Sequence, residues 1–215
     1  MNEADVRSVL SKSLNFSSEN IDKFNKFHEM LLESNKKHNF IAKSTVPLIW
    51  HRHFLDSAQL VKFIDFSDGK SLSDLGSGAG FPGIVLAIFN KSSKFHVKLY
   101  EKSPVKERFL NNVIKELQIN ASVFGGSYDK YDINTDYVVA RAFKKLDEIL
   151  RISREIVKKS HKLLILKGKN AQEEAEKASK HHFFEYKLEN SITSNDSKIL
   201  IVNVKKSEKK HTIGD

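Results

Sequence analysis

The chain has 215 residues, of which 40% are hydrophobic and 29% charged, enough apolar material for a buried core and too much for a disordered polymer. Lysine and arginine outnumber aspartate and glutamate by 36 to 27, giving a net charge of +9, and a surface this basic suits a polyanion better than an acidic protein partner. The absence of cysteine excludes disulfides, thiolate zinc sites, iron–sulfur clusters and a cysteine nucleophile.

Residues 1–5 lack the basic and apolar regions of a signal peptide, and the longest mostly apolar run, 81–89, is about half a membrane span. A cytoplasmic protein without a membrane segment is expected. Ile21, Phe24, Phe27, Leu31 and Leu32 recur at spacings of three and four, which predicts a helix capped by Ser17 or Ser18. Ser44-Thr45 ahead of Pro47 predicts a second helix starting at the proline, with Leu48, His51, Leu55, Ala58 and Val61 as its stripe. Ser67-Asp68-Gly69 ends it.

From residue 70 strands and helices alternate. A strand over 71–75 runs into a glycine-rich loop and an apolar helix over 82–89. A second strand covers 95–101. The next helix has Ser103 as cap and Pro104 at its first position, with Val105, Phe109, Val113 and Leu117 four apart. Strands follow at 121–124 and 136–140. A helix carrying Leu146, Ile149, Leu150, Ile156 and Val157 leads to a fifth strand at 162–167, then a small charged helix at 171–180. The end departs from this alternation. Phe184, Tyr186 and Leu188 alternate with charged residues, and Leu200, Val202 and Val204 repeat the period of two after a turn at 194–197. Two strands with no helix between them pair antiparallel. Five parallel strands with crossovers and a terminal β-hairpin are therefore expected.

Asp74-Leu75-Gly76-Ser77-Gly78-Ala79-Gly80-Phe81-Pro82-Gly83 is the most informative stretch. Glycines at a strand-to-helix junction permit a tight turn and let a ligand lie against bare peptide N–H groups. Two ligands compete. Gly78-x-Gly80-x-x-Gly83 fits a dinucleotide fingerprint. Counted from Gly76, however, Phe81 stands where the third glycine belongs, and Pro82 removes an N–H that a pyrophosphate would use. S-adenosylmethionine, a ribose ligand without phosphates, tolerates that loss better. Glu101, at the end of the second strand, suits the two ribose hydroxyls of either ligand, and Asp74 suits orienting the loop or a water near the methionine ammonium. No tyrosine is followed four residues later by lysine, and the terminal hairpin is typical of S-adenosylmethionine methyltransferases by fold analogy. Neither His51-x-His53 nor His181-His182 has a third ligand at a recognisable spacing, so no metal is expected.

Several segments together resemble one family. Asn35-Lys36-Lys37-His38-Asn39-Phe40, Arg52-His53-Phe54-Leu55-Asp56-Ser57, Asp74 through Gly83, Arg108-Phe109-Leu110, Arg141-Ala142-Phe143 and Leu166-Lys167-Gly168 are similar, in order and spacing, to the bacterial 16S rRNA guanine-N7 methyltransferase family, RsmG. The resemblance spans roughly 17–205, and the Arg52–Ser57 block is its most diagnostic part. It implies an α/β class I S-adenosylmethionine methyltransferase: a Rossmann-like, seven-stranded, mostly parallel sheet with a terminal antiparallel hairpin. A helical cap over 1–66, a catalytic core over 67–205 and a basic tail over 206–215 would form one compact unit, a monomer. The implied reaction is methylation of a guanine N7 in the 530 loop of 16S rRNA, on the small ribosomal subunit or its precursor. Cofactor contacts carry over to Gly76, Phe81, Tyr128, Asp129 and Arg141, beside Gly78, Asp74 and Glu101 from the loop reading. Departures are Ser127 and Ala140, where the family often has Arg and Ser, and Glu101, where it often has Asp.

Guanine N7 has an in-plane lone pair and no proton, so its methylation needs no catalytic base. Arg141 and Phe143 follow the 136–140 strand, where open α/β sheets place ligands; they are expected to border the target base, with Phe143 as a stacking face. His53 and Asp56, three apart on a helix, are expected to contact one another or that base. Lys36, Lys37, Arg52, Lys167 and Lys169 are expected to face RNA phosphate. A small-molecule methyltransferase, a nicotinamide-dependent oxidoreductase and an idle RNA-binding protein are the rival readings.

Overall fold

The computed structural model describes residues 1–141, 144–182 and 184–206. It begins with a helix that the periodicity argument above passes over, α1 (Glu3–Leu14). A reciprocal cap starts it: Asp5 N–H donates to Asn2 Oδ1 at 2.9 Å, and Asn2 N–H donates to the Asp5 carboxylate at 3.1 Å. Val6, Leu10 and Leu14, four apart, form its buried edge. The helix α2 (Ser18–Lys37) starts at the expected place, with Asn20 N–H on Ser17 Oγ, and buries Phe24, Phe27 and Leu31. Asn20 then donates from its side chain to the Ile88 carbonyl at 2.6 Å.

The α-helix predicted from Pro47 does not form. A 3-10 segment (Lys43–Leu48) holds Pro47 in its interior, and a π-helical turn (Trp50–Leu55) follows. Then come one α-turn, α3 (Asp56–Ala58), and another 3-10 turn (Gln59–Phe63). Leu48, assigned to the apolar stripe, is 47% exposed. The reason is tertiary. The Phe54 ring stacks on Phe24 at 4.9 Å and meets Trp50 edge-on at 5.0 Å, and this aromatic cluster sets the rotation of the segment. Each change of helical pitch re-aims the side chains that follow, and π-turns of this kind recur at functional sites.

The remainder is β1 (Ser71–Leu75), α4 (Gly83–Phe89), β2 (His96–Glu101), α5 (Pro104–Leu117), β3 (Ala121–Gly125), β4 (Tyr137–Arg141), α6 (Leu146–Ile156), β5 (His161–Lys167), α7 (Ala171–Ser179), β6 (Tyr186–Asn190) and β7 (Lys198–Val204). The strands form a single sheet in the order β3-β2-β1-β4-β5-β7-β6. The first five run parallel, and β7 is antiparallel to both β5 and β6. The fold class and the terminal hairpin are as expected. Strand order reverses between β1 and β4, which opens a crevice at their carboxyl ends.

An apolar layer covers each face of the sheet. One draws Val6, Phe24, Phe27, Phe54, Ile84 and Leu110 together over Leu72, Val97 and Val139, so the N-terminal helices share a core with α4 and α5. The other packs α6 and α7 on the opposite face through Leu146, Ile149 and Ala175. Each fully buried large side chain contributes about 1.5–3 kcal/mol. Among the described residues no helix is long and apolar enough to cross a membrane.

Candidate functional site

A cavity of about 930 Å³ opens at the crevice between β1 and β4. Its floor is the loop after β1, where Gly76, Gly78 and Gly80 have φ of +74°, +59° and +98°. Side-chain-bearing residues are strained in that region, so the glycine run is a steric requirement of the turn. The N–H groups of Gly76 and Ser77 both reach the Tyr100 carbonyl, at 2.9 and 3.1 Å, and tie the loop to the end of β2.

The glycines divide their work. A Cβ on Gly78 would meet only Gly76 O, at 3.8 Å, and would project into the cavity. A Cβ on Gly83 would overlap the Leu99 side chain and lie 2.6 Å from Asp74 Oδ2. Gly83 is therefore the glycine that lets the helix close on the strands.

Two carboxylates flank the loop. Asp74 is fully buried; its Oδ2 accepts the Gly83 N–H at 2.9 Å, while its Oδ1 has no partner among the described residues. Burial pushes this carboxyl up to about 7. Glu101, at the end of β2, accepts the Gly78 N–H on Oε2 and the Ser103 N–H on Oε1, each at 2.8 Å. Each of its oxygens keeps a further lone pair, and the residue lines the cavity. Ser103 takes the cap position of α5, but its hydroxyl makes no cap bond.

On the opposite wall stands Arg141, the last residue of β4. Its guanidinium donates to the Arg52 carbonyl at 3.0 Å and to His53 Nδ1 at 2.9 Å, lies 3.7 Å from Asp56 Oδ2, and sits 4.9 Å from the centre of the Phe81 ring. Arginine can only donate, so His53 Nδ1 accepts and Nε2 carries the proton. That proton goes to Thr45 Oγ1 at 3.0 Å, and the Thr45 hydroxyl donates to the Ala42 carbonyl at 2.8 Å. Burial, helped by the neighbouring Arg141 and Arg52 charges, holds the imidazole down to about 3. His53 is thus neutral and locked in one tautomer, with its acceptor nitrogen occupied. His53 and Asp56 both line the cavity, and they meet through Arg141 and not, as expected, directly.

Phe81 lies under this group, between Phe27 at 5.3 Å and His53 at 4.9 Å. Tyr128, in the short turn after β3, lines the cavity with Gly126 and Ser127; Asp129 is exposed and outside the lining. Phe143 lies outside the described residues. Of the cations named from the sequence, Arg52 and Lys167 line the cavity, Lys167 held by Glu174 at 2.7 Å, while Lys36, Lys37 and Lys169 are exposed on the surface. Among the described residues no three His, Asp or Glu side chains group to hold a metal ion.

Phe40, Thr45, Lys102, Lys106, Lys144 and Thr193 also line the cavity, and the sequence argument missed them. Lys102 had a usable signal, its place directly after Glu101. Thr193 had none, because its importance comes from a contact with residues near the other end of the chain. The cavity offers bare backbone, the Glu101 and Asp56 carboxylates and a set of fixed donors, while Asp74 lies outside its lining. The Thr45 hydroxyl accepts a hydrogen bond from the imidazole and gives its own proton's bond to the Ala42 carbonyl, so the pair is not wired for nucleophilic attack.

The profile described as rRNA small subunit methyltransferase G matches residues 20–202. The ribosomal RNA small subunit methyltransferase G of Pelagibacter ubique (strain HTCC1062) is 36% identical over 207 residues, covering 94% of this chain and 96% of its own length. That of Orientia tsutsugamushi (strain Ikeda) is 35% identical over 199 residues, 93% of this chain and 98% of its own. Among solved structures, a SAM-dependent methyltransferase from Aquifex aeolicus superposes with a TM-score of 0.59 at 14% identity, over 79% of this chain and 97% of that one. A SAM-dependent O-methyltransferase from Thermotoga maritima gives 0.55 at 16%, over 72% and 66%. At these identities the structural likeness speaks to the fold.

Proposed function

The chain belongs to the rRNA small subunit methyltransferase G family, and from that premise we propose that it methylates N7 of one guanine in the 530 loop of 16S rRNA, in the cytoplasm, using S-adenosylmethionine. The observation that carries the reading is the open backbone at Gly78, bonded to Glu101 on the cavity wall where the strand order reverses. The spare lone pairs of Glu101 fit a ribose diol, and the unpartnered Oδ1 of Asp74, fully buried and outside the cavity lining, suits a ligand ammonium through an intervening water. S-adenosylmethionine, when bound, supplies an electrophilic sulfonium methyl group.

This chain's residues supply the rest. Asp74, Gly76, Gly78 and Glu101 serve the methionine and ribose portions, with Phe81, Tyr128 and Arg141 completing the cofactor set. A guanine N7 already carries its lone pair, so a neutral, occupied His53 suits the reaction: nothing has to take a proton. The site must instead align the base and tolerate the cation that forms on it. We assign Asp56 to balance that cation and Arg141 to orient the Asp56 carboxylate. Arg52, Lys102 and Lys106 along the cavity wall suit the phosphates of a splayed loop.

The direct test is mass mapping or primer extension of 16S rRNA, incubated with enzyme and S-adenosylmethionine. One new N7-methylguanine in the 530 loop is expected; methylation elsewhere, or none, would refute the assignment.

Two substitutions test the cofactor half separately. Gly78→Val fills the cradle and is expected to weaken S-adenosylhomocysteine binding about tenfold or more by calorimetry, while the fold survives with only the strain of a left-handed residue. Unchanged affinity contradicts the placement. Asp74→Asn is expected to cost about tenfold in the same affinity, the scale of one charge-assisted hydrogen bond. It should also change the pH dependence of stability. The Asp74 carboxyl is raised to about 7 in the folded chain, so between its ordinary range near 4 and that value the folded protein holds a proton that the unfolded chain has lost. Stability therefore falls as pH rises through this window, and the asparagine variant escapes the fall. Its thermal midpoint, relative to wild type without ligand, should shift upward from pH 4 to pH 8; a constant gap would count against a protonated Asp74.

A further inference from the structure

The Asp56 carboxylate is held from a site 137 positions further along the chain. Its Oδ1 accepts Thr193 Oγ1 at 2.9 Å and Gln59 Nε2 at 3.0 Å. Gln59 is 1% exposed. Its Nε2 also donates to Ser191 Oγ at 3.0 Å and shares a proton between Asp56 Oδ1 and the Asp56 carbonyl, 2.9 Å away, and its Oε1 accepts the Ile192 N–H at 2.9 Å. Ser191 Oγ lies 2.8 Å from Thr193 Oγ1 and accepts the Thr193 N–H at 3.1 Å. The single Thr193 hydroxyl proton points at the carboxylate, so the Ser191 hydroxyl must donate to Thr193. The direction of each bond in the ring is thereby fixed. It joins the turn after β6 to the segment carrying Asp56, at the wall of the cavity that both Asp56 and Thr193 line.

We propose that Thr193 and Gln59 are positioning residues, which clamp Asp56 Oδ1 so that Oδ2 stays aimed at the Arg141 guanidinium and the reacting purine. The inference rests on the reading that Arg141 and Asp56 border the transfer position. A carboxylate otherwise turns freely about its last torsion. Two donors on one oxygen stop that rotation and leave the other oxygen fixed, 3.7 Å from Arg141. Positive charge arrives on the purine only as the methyl moves. A misaimed carboxylate therefore raises the barrier without loosening the ground-state complex, a kcat effect and not a KM effect.

Thr193→Val keeps the shape and removes the donor, and Thr193→Ser keeps the donor. With S-adenosylmethionine and 30S subunits, the valine variant is expected to lose about tenfold in kcat, with KM for the subunit and affinity for S-adenosylhomocysteine within about twofold, and serine is expected to restore kcat. Wild-type kcat in the valine variant, a loss expressed only in KM, or a loss that serine does not restore would overturn the clamp. A second readout does not depend on turnover. The ¹³C titration of the Asp56 carboxyl should move to higher pH in the valine variant, which lacks a bond to the charged form, and return with serine. Arg141, Arg52 and His51, the charged and titratable groups acting on Asp56, are the same in all three proteins. An unmoved titration refutes the clamp even if wild type transfers no methyl to rRNA, an outcome that would sink the functional reading instead.

Discussion

Replacing Arg141 with alanine is expected to lower the rate of methyl transfer about a hundredfold while RNA affinity changes about threefold or less. The guanidinium serves three partners at once: the Arg52 carbonyl, His53 Nδ1 and Asp56 Oδ2. Its side chain is only 17% exposed, so water replaces few of these contacts when it is removed. His53 loses the donor that fixes its tautomer, and Asp56 loses the cation that offsets its desolvation; burial already pushes its carboxyl upward against that cation. An Asp56 carboxyl pushed further upward is a poorer counter-charge for the purine cation of the proposed reaction. On the proposed reading most of the damage falls on the transition state, with phosphate neutralisation left to Arg52, Lys102 and Lys106 on the cavity wall. Arg141→Lys is expected to fail as well, because a point charge cannot reproduce a planar fork with separate donors for His53 and Arg52. Single-turnover methylation and filter binding measure the two quantities; equal losses in both would reduce Arg141 to a phosphate contact.

Gly83→Ala is expected to destabilise the protein by about 3 kcal/mol or more, an overpacking penalty applied at rigid surroundings. The added methyl meets the Leu99 side chain on β2 and both the carboxylate and the Cβ of Asp74 on β1. Neither neighbour has room to move: both are fully buried, and Asp74 Oδ2 is bonded to the Gly83 N–H itself. Relief requires α4 to lift from the sheet, which opens the packing of Ile84, Leu86 and Ile88. Urea unfolding measures the effect against Gly78→Val, five residues away in the same loop. The two glycines should separate cleanly, Gly83 costing stability and Gly78 costing ligand. A Gly83→Ala protein with wild-type stability would show that the helix sits further from the strands than described.

Much of the fold was readable in advance because it depends on local rules. Proline at the start of α5, period-two alternation in β6 and β7, and glycines at a strand end each restrict backbone geometry over a few residues. The helix α1 was equally readable, through its Asn2–Asp5 cap and the spacing of Val6, Leu10 and Leu14, and was passed over. The failure at Pro47 is different in kind. Its stripe does fit a regular helix, and only the aromatic cluster of Phe24, Trp50 and Phe54 converts the segment into alternating 3-10, π and α turns. That conversion is what brings His53 and Asp56 together around Arg141.

Residue types and their local spacing settled the sheet class, the glycine turn and the exclusion of thiol chemistry. They left open which nitrogen of His53 holds the proton, which glycine packs and which one opens onto the cavity, and that Thr193 grips Asp56. Sterics, capping and periodicity act within a turn or two of chain, so a short stretch carries them. A hydrogen-bond direction or a van der Waals overlap depends on what the rest of the molecule places alongside, and that exists only after residues 56 and 193 have been folded against each other.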